Sequence, residues 1–226
     1  MNELIKINNL SKSFYYNNQK IDVLKNINLN IKKEDFVSII GPSGSGKTTL
    51  LNIIGTLDDF NSGEYFFNNN NILDLNESQK NVFRNKNIGF IHQFHYLIPE
   101  LTTLENIILP ELISGKRTKE SINNAKLLLK DFGLNDKVDI KSKLLSGGEQ
   151  QRISIARSMI NKPDIIIADE MTGNLDEKNT IDIFNFFLKK IKENRQTLIF
   201  VTHNNHLASK AQIKYSLENG TLNQYN

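Results

Sequence analysis

Gly41, Gly46, Lys47 and Thr48 stand in the spacing G-x-x-x-x-G-K-[ST], within the run Gly41, Pro42, Ser43, Gly44, Ser45, Gly46, Lys47, Thr48 and Thr49. Glycines remove side chains where backbone amides must close around an anion. The lysine then reaches the terminal phosphates of a chain of phosphates, and the hydroxyl of Thr48 ligates Mg²⁺. The context agrees with this chemistry. Phe36–Ile40 reads as a buried strand and 48–55 as a helix, so the loop feeds a helix N-terminus, where negative charge is favoured.

A phosphate site also needs a carboxylate for the metal and a group to direct water. The run Ile165, Ile166, Ile167, Ala168, Asp169, Glu170 supplies both at the carboxyl end of an apolar strand, the edge at which open α/β sheets bind ligands. Asp169 is expected to bind the metal, directly or through water, and Glu170 to polarise the attacking water. Taken alone, two acids at a strand end would read as a turn or a helix cap; beside the lysine loop they read as metal chemistry.

The octapeptide LSGGEQQR, Leu145 to Arg152, poses a separate question. Ser146 followed three residues later by Glu149 is a capping box opening a helix through 153–159. Capping explains the serine and the glutamate. It does not explain Gly147 and Gly148, each unfavourable in a first helical turn by up to about 1 kcal/mol. A bare, capped helix end is a second phosphate site, and since Gly41 to Thr48 already serve this chain's own nucleotide, it is expected to serve one on another subunit.

The elements that must carry these groups follow from periodicity. Segments 4–7, 23–31 and 64–67 alternate or run apolar between turn residues, which predicts a small antiparallel sheet around the phosphate loop. Ile88–Ile91, 165–168 and 198–201 read as short buried strands separated by helical stretches, the pattern of a mainly parallel sheet covered on both faces. Between 94 and 145 the pattern turns helical, notably over 121–132, which predicts an inserted helical subdomain. No internal repeat or linker divides the 226 residues, so one domain with a subdomain is expected.

Bulk properties exclude several classes. Apolar residues make up 38% of the chain, enough for a core, and the net charge of +3 is dispersed, so nucleic acid is not an expected partner. No apolar run reaches the roughly 18 residues that cross a bilayer, and the N-terminus lacks the order of a secretory signal. Zero cysteines exclude disulfides and thiolate metal sites. Asn68 to Asn71 read as the coding bias of an AT-rich genome rather than as a functional tract.

Together these motifs resemble the nucleotide-binding subunits of ABC transporters over essentially the whole chain. The resemblance implies a P-loop NTPase (RecA-like) core with a mainly parallel sheet, a small antiparallel β subdomain and an inserted helical subdomain at about 94–145. It makes Gly41 to Thr48 the Walker A loop, Ile165 to Glu170 the Walker B strand, LSGGEQQR the signature, Gln93 the Q-loop glutamine and Asn174-Leu175-Asp176 the D-loop. His203 becomes the switch histidine, and Phe14, with Tyr15 and Tyr16 adjoining, the aromatic that stacks on adenine. Expected ligands are ATP and Mg²⁺, the metal held by Thr48, Asp169 and Gln93. Expected partners are a second copy, which completes a nucleotide sandwich with Ser146, Gly147 and Gly148, and integral membrane permease subunits at the cytoplasmic face of the inner membrane.

Finer likeness lies in residues 84–112 and in Thr172 to Asp176, which resemble the branch of lipoprotein-releasing (LolD-type) and macrolide-export (MacB-type) ATPases. Gln93-Phe94-His95-Tyr96-Leu97-Ile98-Pro99 is nearest to the lipoprotein-releasing type, with permeases of LolC/LolE type implied. A drug or peptide exporter, a cell-division complex and a soluble ABC ATPase are the alternatives. Where the family has proline after the Walker B glutamate, this chain has Met171; it removes no phosphate or metal contact, so activity is expected to survive.

Overall fold

The computed structural model describes residues 2–116, 119–171 and 177–225, the side chains of 177–180 lying outside that description. A long hairpin opens the chain: β1 (Glu3–Tyr16) runs antiparallel to β2 (Gln19–Lys32), joined through Asn17 and Asn18, both left-handed at φ 46° and 61°. Two positive-φ residues make the primed turn whose twist matches a hairpin, and asparagine tolerates it. The buried strand β3 (Phe36–Ile40) leads to α1 (Lys47–Ile54), and β4 (Ser62–Phe67) then pairs antiparallel with β1. The fully buried Tyr65 donates its hydroxyl at 2.7 Å to the carbonyl of Ile54, pinning the end of α1 to this sheet.

The asparagine run has a structural use that composition did not reveal. Asn68 and Asn69 take φ 48° and 64° to turn β4 into the short β5 (Asn70–Asn71), and the Asn71 side chain accepts from the amide of Leu73 to start a 3₁₀ turn. The polar helix α2 (Glu77–Asn87) follows and buries no residue.

Residues Asn85–Asn194 form a compact unit of their own, while the chain up to Arg84 and from Arg195 onward forms another. In the former, β6 (Ile88–Ile91) is succeeded by α3 (Thr103–Ile113), α4 (Lys119–Asp131) and α5 (Gly147–Met159). The strand β7 (Ile165–Asp169) then pairs parallel with β6, in register Ile91 to Ala168. A Cβ on Gly89 of β6 would lie 2.2 Å from the carbonyl oxygen of Ser158 on α5, so glycine there lets helix and strand meet backbone to backbone. Buried Asn106 on α3 exchanges hydrogen bonds with both backbone groups of Ile98 (2.9 and 3.1 Å), fixing the chain that leads from β6 into the helices. The long helix α6 (Glu177–Glu193) buries Ile183, Phe184, Phe187 and Ile191 at helical spacing, and its Lys190 pairs with Asp131 at 2.8 Å.

Back in the first unit, β8 (Thr197–Val201), α7 (Asn205–Ala208), β9 (Ile213–Glu218) and β10 (Thr221–Tyr225) complete the chain. β3 lies between β8 and β9, parallel to both, in register Ile39 to Val201 and Ile39 to Tyr215, with β10 antiparallel at the edge. The mainly parallel α/β architecture with a separate antiparallel sheet is the one expected from the sequence. Among the described residues no helix is long and apolar enough to cross a membrane.

Candidate functional site

The phosphate loop leaves β3 and is shaped by contacts on both sides. A Cβ on Gly41 would lie 2.2 Å from the carbonyl oxygen of Leu217 on β9, and one on Gly46 would lie 2.9 Å from Val23 Cγ1 on β2. Gly46, at φ 102°, also takes a backbone conformation that side chains avoid. Lys47 is only 6% exposed, and its ammonium donates to the carbonyls of Gly41 (2.9 Å) and Pro42 (2.8 Å), bending the loop over its own helix. No side chain caps α1, and no acid stands in its first turn, so its N-terminal field is left for an anion. The buried hydroxyl of Ser45 makes no hydrogen bond among the described residues, as fits a donor meant for a ligand oxygen. These residues fit a polyphosphate, and the exposed Thr48 adds the hydroxyl that a hard cation such as Mg²⁺ takes.

His203 follows β8 by two residues and is exposed. Since β8 runs parallel to β3, His203 and the phosphate loop emerge at the same carboxyl edge of neighbouring strands. Phe14 near the end of β1 is 42% exposed, and the ammonium of Lys12 lies 4.8 Å from its ring centroid.

In the second unit the parallel pair β6 and β7 performs the same service. Gln93, two residues past β6, and Asp169 with Glu170 at the end of β7 emerge at one carboxyl edge. Glu170 is held at φ 45°, a conformation that non-glycine residues occupy only where the surroundings impose it. Met171 follows with 3% exposure, its side chain used in packing. Beside them the ring of His92 stacks on Phe90 at 5.0 Å and meets Tyr96 edge-on at 5.1 Å. Burial lowers the His92 pKa; Asp169 opposes the shift and Arg157 adds to it, so its imidazole is neutral at physiological pH.

The capping box forms as expected. The amide of Glu149 donates to Ser146 Oγ at 3.4 Å, while the Glu149 carboxylate accepts the Ser146 amide at 2.8 Å and its hydroxyl at 2.9 Å. A Cβ on Gly147 would meet nothing within 4 Å. Among the described residues, neither packing nor backbone conformation therefore calls for glycine there. Asn174, Leu175 and Asp176 lie outside the described residues.

Residues 24–173 match the family model described as "ABC transporter". The chain belongs to the ABC transporter family. It is thus an ABC-type ATPase with a P-loop NTPase fold. This cassette is 46% identical to the lipoprotein-releasing system ATP-binding protein LolD of Rickettsia bellii, over 98% of both chains. It is 44% identical to the LolD protein of Aquifex aeolicus, over 98% of this chain and 97% of that one. Among solved structures, the dimeric ABC transporter cassette MJ0796 superposes with a TM-score of 0.91 at 40% identity, over 99% of this chain and 98% of the other. The post-hydrolysis dimer of MJ0796 bound to ADP and Pi superposes at 0.90 with 39% identity, over the same shares.

Lys12, His92 and Arg157 also lie beside the motifs, and the sequence assigns none of them a role. Lys12 is two residues before Phe14 on the same face of β1, a spacing that period-2 alternation makes legible. Arg157 carried no such signal, since a helical arginine ordinarily faces water.

Proposed function

We propose that this chain is the ATP-hydrolysing motor of a lipoprotein-releasing ABC transporter, working as a pair of copies beneath permease subunits of LolC/LolE type. The pair would sit at the cytoplasmic face of the inner membrane. The observation that carries the pairing is Gly147: a capped helix end kept bare although its own chain leaves open space there. An anion brought by a second copy gives that bareness a use.

In this reading the adenine of ATP stacks on Phe14, and the amides of Gly41 to Thr49 with the Lys47 ammonium hold its phosphates. Ser146, Gly147 and Gly148 of the other copy cover the γ-phosphate, with Asp176 contributing to the same junction. Thr48, Asp169 and Gln93 hold Mg²⁺, which when bound neutralises charge developing on the transferred phosphoryl group. Glu170 accepts a hydrogen bond from the attacking water and orients it in line, and His203 donates to the γ-phosphate oxygens. Closure of the pair draws on binding energy, and splitting of the nucleotide releases it.

The lipoprotein assignment draws on the near-full-length likeness to LolD proteins and on the segment Gln93 to Pro99. Its test is biochemical. Membranes are solubilised under native conditions, this chain is captured, and the co-purifying integral membrane protein is identified and reconstituted with a lipoprotein. ATP-dependent release of the lipoprotein to a soluble acceptor supports the assignment; capture of a drug-efflux assembly with its adaptor, or of ribosomes, overturns it.

A further inference from the structure

Three turns past its N-terminus, α5 carries a side chain for which the hydrolytic scheme has no use. The guanidinium of Arg157 donates to the carbonyl of Tyr96 at 2.7 Å and to that of His95 at 2.7 Å. These are the second and third residues beyond Gln93. Burial lowers the Arg157 pKa, so the cation is kept in an environment that disfavours it. Both bonds end on neutral carbonyls, so their yield is geometric: a rigid fork fixes two successive peptide groups, which an ammonium on a flexible stem does not.

The peptide so fixed is itself unusual. Tyr96 stands at φ 44°, left-handed and sparsely populated for a bulky residue, and persists there only because its surroundings over-determine it. Gln151, also on α5, is almost wholly buried. His95 Nδ1 and Gln151 Nε2 are buried without hydrogen-bond partners among the described residues.

We propose that Arg157 is a positioning residue: a strut tying the backbone just beyond Gln93 to the helix whose N-terminus is Ser146. Along α5 the two ends of the strut are about 16 Å apart at 1.5 Å per residue, joined by an unbroken helix. The proposal rests on the reading above, in which Ser146 meets the partner's nucleotide and Gln93 meets its own. A shift at one nucleotide is then delivered to the metal ligand of the other, and the two sites are coupled within each chain.

The test uses full-length chain, with Arg157→Lys and Arg157→Gln read in parallel. Turnover is titrated with ATP and with Mg²⁺, and Mg²⁺-free binding of a fluorescent ADP reports the phosphate loop, which lies in the other compact unit. The strut predicts that the Hill coefficient for ATP falls from about two toward one and that half-saturation by Mg²⁺ rises about five- to tenfold. ADP affinity should stay within about twofold, since no contact of the loop is touched. Variants with unchanged cooperativity and Mg²⁺ dependence would overturn it. Loss of ADP binding and of cooperative thermal unfolding in both variants would assign Arg157 to folding alone and overturn it too. A wild-type chain that fails to turn over MgATP would instead sink the hydrolytic reading beneath.

Discussion

The ammonium of Lys12 lies 4.8 Å from the ring centroid of Phe14 while donating at 2.7 Å to the Asp58 carboxylate and at 2.5 Å to the Asp59 carbonyl. Its side chain is only 11% exposed. A cation anchored from the loop after α1 thus occupies one face of the ring, and the opposite face is the one left for the adenine proposed to stack there. Lys12→Met should weaken ATP binding about two- to fivefold with kcat preserved, the scale of a single modest cation–π contact. Phe14→Ala should lose about tenfold. Titration with a fluorescent ATP analogue measures both, and a Lys12→Met variant binding as tightly as the parent would refute a role for Lys12 in adenine binding.

Two glycines of the phosphate loop separate backbone freedom from close approach. Gly44 (φ 76°) would place a Cβ in open space, whereas Gly46 (φ 102°) would drive one to 2.9 Å from Val23 Cγ1. Gly44→Ala should therefore cost only the left-handed conformation, about 1–2 kcal/mol. Gly46→Ala should add the clash and abolish measurable nucleotide binding. Calorimetric Tm and ADP titration together rank the two; equal losses would mean that the contact with β2 does not matter.

Glu149 makes stability depend on pH in a definite direction. Its bond from the Ser146 amide, and next that from the Ser146 hydroxyl, hold its pKa below the ordinary 4.5. A carboxylate depressed in the folded state contributes fully above its unfolded value and loses that contribution as pH falls through the folded one. At pH 7, Glu149→Ala should cost about 1 kcal/mol, the usual worth of a helix cap. The Tm gap between variant and parent should narrow on acidification below the ordinary carboxylate value of 4.5. A gap that stays constant with pH would show that the carboxylate's charge is not what matters.

Met171 fills space next to the Walker B glutamate, with 3% exposure. Truncation to alanine should cost about 2–4 kcal/mol through the cavity it leaves, while Mg²⁺-free ADP binding at the phosphate loop stays unchanged. Thermal unfolding and ADP titration check the pair of outcomes, and a silent Met171→Ala would mean that the site collapses freely around the missing side chain.

Much of the architecture was legible because burial and period coincide. Ile88–Ile91 and Phe36–Ile40 are short apolar runs buried on both sides, and the structure returns them as strands with those bounds. The C-terminal hairpin was missed, although Asn219-Gly220 is a strong two-residue turn signal; both residues take positive φ between β9 and β10. α2 escaped because it buries no residue and so shows no apolar stripe. Asn68 and Asn69 were misread as compositional drift for the converse reason: their role lies in backbone conformation, which residue counts do not report. Of the site, the phosphate loop and the capped signature helix were legible from local spacing alone. The anchoring of Lys12 by Asp58 and the bonds of Arg157 to His95 and Tyr96 join residues far apart in the chain, which local spacing does not encode.

The sharing of each nucleotide by two copies is tested most directly by Glu170→Gln. Analytical ultracentrifugation with MgATP should find this variant as a dimer that disperses when ATP is replaced by ADP, with turnover near zero. A variant that stays monomeric with MgATP while still splitting it at the parent's rate would contradict both the pairing and the role given to Glu170.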